Sequence, residues 1–138
     1  MPQGKEIYST PMRQNLIISP EERDGFDYID VGTLLAMAIK DSLNDGNLPA
    51  IAETSLNAII SNNIRQDSSI GKYVALKNIG ILFEPQLHLN LASIFEQQSK
   101  NQTLIICAKG TIREKRFHFE EDESCAINLS GLTYKQEK

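Results

Sequence analysis

Apolar residues fall along this chain in two kinds of pattern, and the two predict different elements. Short continuous runs come first: Leu16–Ile17–Ile18 and Tyr73–Val74–Ala75–Leu76 are each bounded by polar residues, and Leu104–Ile105–Ile106 continues through Cys107 and Ala108 to Lys109 and Gly110. The last two lie next to helical patterns and predict strands buried on both faces rather than the alternating pattern of a one-sided sheet. Longer stretches with helical spacing separate them. Leu34, Leu35, Ala38, Ile39 and Leu43 recur as one stripe and predict a helix over 31–44 that packs this stripe on the sheet. Asp30 is placed to cap its start and Gly46 to end it. A second helix is expected to begin at Pro49, which suits a first turn, with Ile51, Leu56, Ile59 and Ile60 on one face. A third is expected over 87–99, through Leu87, Leu91, Ile94 and Phe95.

The remaining segments are weaker in pattern. Residues 1–14 are polar, contain Pro2 and Pro11, and read as an irregular arm. Pro20 should end strand pairing after the first run, since it has no N–H to donate. Residues 65–72 read as a polar loop. The tail, 109–138, is β-rich: Phe117 and Phe119 flank His118, which is expected on the solvent face, and Ala126–Leu129 is expected as a last edge strand. The order of elements predicts a single α/β domain over 1–138, a small layered sandwich with a mostly parallel sheet, in which 73–76 and 103–107 are neighbours.

Composition narrows the function classes only a little. The length of 138 residues suits one core, and a 41% apolar, 23% charged chain is ordinary for a water-soluble domain. No apolar run approaches the ~20 residues that cross a bilayer, and the first residues lack the apolar core of a signal peptide. Cys107 and Cys125 are then expected as reduced thiols of a cytoplasmic protein. A net charge of −4 gives no overall attraction to nucleic acid or anionic membrane.

Complete catalytic motifs are not legible. Gly4–Lys5 has no room upstream for a phosphate loop, and Gly71–Lys72 is followed by Tyr73 where such a loop needs Ser or Thr. The two histidines, His88 and His118, stand thirty residues apart and suggest no metal pair. The acidic run Glu120–Glu123 reads as a solvated turn. Two local features carry more. Lys77 and Asn78 sit where a buried strand leaves its sheet, the edge at which open α/β folds bind ligands. Lys109, Arg113, Lys115, Arg116 and His118, interleaved with aromatics, form a basic strand that can touch phosphates or a protein partner.

The stretch "YVALKNIGILFEPQLHLNLASIFEQQSKNQTLIICAKG" and the segment "YIDVGTLLAMAI" resemble the Walker B region and neighbouring elements of small P-loop ATPase-like proteins of bacteriophage-exclusion (BREX) operons. The resemblance runs over roughly 28–112. It implies a P-loop-like fold in a degenerate form. Lys77 stands where the family has its Walker B aspartate, and "NLIISPEERDGF" stands where the phosphate loop and its helix belong. An ammonium repels the magnesium ion that the aspartate holds. The implied protein is a non-enzymatic accessory subunit of a phage-defence system, without cofactor or metal. It binds a larger protein of the same operon, with self-association left open. The alternative is a small nucleic-acid-contacting module using 109–118.

Overall fold

The computed structural model describes residues 15–122 and 125–136; the expected N-terminal arm, 1–14, lies outside them. Five strands run parallel: β1 (Leu16–Ser19), β2 (Tyr28–Asp30), β4 (Gly71–Lys77), β5 (Thr103–Cys107) and β9 (Tyr134–Gln136), in the order β2–β4–β5–β1–β9. β3 (Arg65–Asp67) pairs antiparallel with the start of β4. The expected neighbours are neighbours, with Tyr73 opposite Thr103 and Leu76 opposite Ile106. A second, antiparallel sheet holds β6 (Gly110–Arg113), β7 (Arg116–Phe119) and β8 (Ala126–Asn128) in that order.

Handedness decides what covers each face. The steps β2→β4 and β4→β5 advance across the sheet in one direction and carry the helices α1 (Val31–Ile39), α2 (Leu48–Ser61) and α3 (Leu91–Gln98). The step β1→β2 runs the opposite way, so a right-handed crossover puts its connection, 20–27, on the other face. Alternation along the strands follows. Leu16, Ile18, Val74, Leu76, Leu104 and Ile106 join the helices in one large core, while Ile17, Tyr73, Ala75 and Ile105 face Phe26, Tyr28 and Ile70. The phenol of Tyr73 accepts the Asp27 N–H at 3.0 Å and its ring meets Phe26 edge-on at 5.0 Å. Among the described residues both faces are covered, as the continuous runs require, one by helices and the other by a loop.

Several expected boundaries move. α1 ends at Ile39 and a short 3₁₀ turn, Lys40–Ser42, follows. Its buried side chains are Val31, Leu35 and Ile39, spaced i, i+4, i+8. Leu34 is 39% exposed and Leu43 58%, and Ala38 is exposed too, so only part of the expected stripe packs on the sheet. In a helix that is apolar nearly all round, periodicity cannot say which strip is inside. The third helix starts at Leu91, not 87, because His88 is left-handed at φ 47°. Leu87, Leu91, Ile94 and Phe95 are nevertheless all buried. The basic strand is a hairpin whose two turn residues, Glu114 and Lys115, both have positive φ (53° and 61°). This is the backbone of a type I′ turn, formed here without the usual Asn-Gly. His118 is buried rather than solvent-facing. Phe117, Ile127 and Leu129 enter the large core, and Phe119 stacks at 5.0 Å on Phe83, which lies in the 3₁₀ turn 80–83 after β4.

Candidate functional site

The carboxyl ends of β2, β4, β5 and β1 form one row. Asp30 lies opposite Lys77, and Ser19 opposite Cys107. The Asp30 carboxylate caps α1 by accepting the Thr33 N–H at 2.9 Å. The same oxygen accepts the amide N–H of Asn78 at 2.8 Å. These hydrogen bonds, the backbone one first, hold the Asp30 carboxyl below its ordinary value. Asn78 can reach Asp30 because it turns out of β4 in the left-handed region at φ 59°, a conformation asparagine tolerates better than most residues. Gly32 completes the arrangement. Any Cβ there meets the Asn78 backbone carbonyl, and the side-chain amide nitrogen at 2.7 Å. Asn78 thus ties the end of β4 to the start of α1.

Lys77 turns the other way and pairs with Glu22 at 3.5 Å, both side chains remaining half exposed. Cys107 is a free thiol whose S–H faces the Pro20 carbonyl at 3.9 Å, a weak contact. Burial, then the nearby Glu22 and Glu21, push this thiol up, so it stays protonated at neutral pH. Beside the row lies a cleft of about 370 Å³, with Cys107, Lys109 and Phe119 among its walls. The segment after β1 runs Ser19–Pro20–Glu21 into turns, and among the described residues no helix follows before β2. Backbone amides there are not gathered at a helix N-terminus, the arrangement that cradles phosphate. Among the described residues no group of three His, Cys, Asp or Glu side chains is placed to hold a metal. Chemically, the row offers partnered groups that position a loop.

The five residues of the basic strand are divided by the hairpin. Arg113 and Arg116 stand directly opposite each other beside Lys115 at the tip. Arg113 is held by Glu121 at 3.7 Å, and Glu121 also accepts the Thr111 hydroxyl at 2.9 Å. Lys109 lies at the far end, on the strand-end cleft, and His118 is inside. A continuous cationic strip is not formed. The sequence located Lys77 and Asn78 at a strand end and Asp30 as the cap of α1 correctly, but the pairings of Asn78 with Asp30 and of Lys77 with Glu22 carry no signal along the chain.

One surface stands apart. Leu34 and Met37, 39% and 63% exposed, share the outer face of α1 with Ala38, and Leu43 follows at 58%. Such side chains on a single helix face are what protein-binding surfaces present. Among the described residues no helix is long and apolar enough to cross a membrane. Comparison of the chain with protein-family models, curated proteins and solved structures finds no match in any of the three.

Proposed function

We propose that this chain is a non-catalytic accessory subunit that docks on a larger protein, built on a degenerate P-loop-like core. The observation that carries this reading is the apolar outer face of α1, where Leu34 and Met37 face water. Three features support the degenerate core. Numbered in chain order, the parallel strands lie as 2-3-4-1-5, so the first strand is internal and its carboxyl end opens onto the middle of the sheet. That is where the resemblance puts a phosphate loop, and here the chain passes directly into Pro20 and the turn beyond it. At the end of β4 the position of the metal-binding acid is Lys77, already paired with Glu22. The partner we infer is a larger protein of the same bacterial phage-defence operon, presenting an apolar surface of its own.

The test is co-purification of the full chain with that neighbour, in wild type and in Leu34→Glu/Met37→Glu. Loss of the neighbour in a variant that melts like wild type supports the reading; retention overturns it. A second reading rests on Arg113, Lys115 and Arg116 gathered at one hairpin tip. It makes the chain a nucleic-acid contact. It predicts binding to DNA that weakens steeply with salt and is lost in Arg116→Ala.

A further inference from the structure

Two aspartate–glycine pairs lie in exposed turns, Asp24–Gly25 between β1 and β2 and Asp45–Gly46 between α1 and α2. At either glycine a Cβ would meet nothing within 4 Å. In such a pair the glycine nitrogen can attack the aspartate's own Cγ, because no side chain hinders the approach. What separates the two pairs is the position of the carboxyl. The Asp45 carboxylate accepts the Asn47 N–H at 2.7 Å and so closes over the residue between them. In an Asx-turn of this kind the side-chain carboxyl takes the place of a backbone carbonyl, which sets Cγ beside the Gly46 nitrogen. Among the described residues that nitrogen donates no hydrogen bond, and the Asp24 carboxylate accepts none.

We propose that Asp45 is a site of spontaneous backbone isomerisation in the folded protein, through a cyclic imide formed with Gly46. The Gly46 nitrogen bonds to Asp45 Cγ, and the amide proton leaves with the carboxyl's hydroxyl as water. Water then opens the ring at the carbonyl that belonged to the main chain. The chain afterwards runs through Cβ and Cγ, and the former main-chain carbonyl carbon becomes a free carboxylate. Mass and charge are unchanged, but the backbone is one carbon longer. The main-chain groups of Asp45 help to join α1 to α2. Its N–H donates to the Ser42 carbonyl at 3.0 Å, and its carbonyl accepts the Leu48 N–H at 3.1 Å. Leu48 is anchored in the core, so the added carbon loosens the start of α2. The inference does not depend on the docking face.

The experiment incubates the full folded chain for weeks at neutral pH and physiological temperature. It follows the tryptic peptides 24–40 and 41–65, which carry one pair each. The 41–65 peptide is expected to gain a second chromatographic peak of identical mass, with electron-transfer fragments placing the extra carbon at position 45. Deamidation of its asparagines is told apart by an increase in mass. In the folded chain 24–40 is expected to lag several-fold behind, whereas in urea, where the Asx-turn is lost, the two convert at similar rates. The Cβ of Gly46→Ala meets no neighbour, so this variant is expected to lose the second peak with an unchanged melting temperature. No second peak in 41–65, equal conversion of the two peptides in the folded chain, or a peak that persists in Gly46→Ala overturns the proposal.

Discussion

Leu34 and Leu35 are adjacent and chemically identical, yet the structure gives them opposite duties. Leu35 is fully buried between α1 and the sheet, whereas Leu34 is 39% exposed on the outer face. Leu35→Ala removes buried methyl and methylene groups and leaves a cavity, a loss of about 2–5 kcal/mol. For Leu34→Ala the same carbons are worth roughly 2.4 kcal/mol if fully buried, at about 0.8 each. With 39% of the residue already in water, roughly 1.5 kcal/mol is an upper limit, because the unfolded chain also shelters apolar surface. No sealed cavity forms at Leu34, so roughly 1 kcal/mol or less is expected. Urea denaturation with a shared slope separates the two, and melting should fall by about 3–5 °C per kcal/mol in a chain of this size. Partner binding should respond in the reverse order, Leu34→Ala losing it with little loss of stability. Equal destabilisation by the two substitutions would refute the placement of α1 and, with it, the docking face.

Gly32→Ala should destabilise the protein. Alanine gains up to about 1 kcal/mol in helix propensity, but its Cβ strikes the Asn78 carbonyl, and overpacking against backbone costs about 1–3 kcal/mol; chemical denaturation reads the sign. Acid should weaken the fold through Asp30 and Asp67, whose carboxyls are held below their ordinary 3.8 by hydrogen bonds. A depressed folded-state value means this stability is present above the unfolded value and lost as pH falls through the folded one. The loss therefore begins below 3.8, and a pH series of melting temperatures should show a smaller loss for Asp30→Asn. Calorimetric titration should detect no Mg·ATP binding at millimolar concentration, and Lys77→Asp should not create it, since that change adds a metal partner but no phosphate cradle. Micromolar affinity in either protein contradicts the degenerate-core reading.

The central sheet was legible because its strands are continuous apolar runs, and burial on both faces is what such runs mean. β4 and β5 lie where Tyr73–Leu76 and Thr103–Cys107 predict. β3 and β9 were not legible: "RQD" and "YKQ" hold no apolar pattern and are strands only because β4 and β1 offer them a free edge. The hairpin was hidden in a similar way, its turn being made by Glu114–Lys115 instead of asparagine and glycine. His118 is buried although it projects from the face of β7 opposite the core-packed Phe117 and Phe119, so alternation along the strand does not decide exposure there. Lys77 and Asn78 could be placed at a strand end, but Asn78's bond to Asp30 spans forty-eight positions and depends on a glycine at 32. Contacts of that range follow from topology, which local pattern does not contain.

Site-specific photo-crosslinking in the cells from which the chain comes tests the proposed docking face most directly. A photoreactive amino acid replaces Met37, 63% exposed at the centre of the outer face of α1, and in a parallel strain it replaces the exposed Glu53 on α2. Irradiation followed by mass spectrometry should recover, from position 37 only, one larger protein encoded beside this chain. The absence of any such adduct at 37, or adducts equally strong from 53, contradicts the assignment of α1 as the surface through which this chain acts.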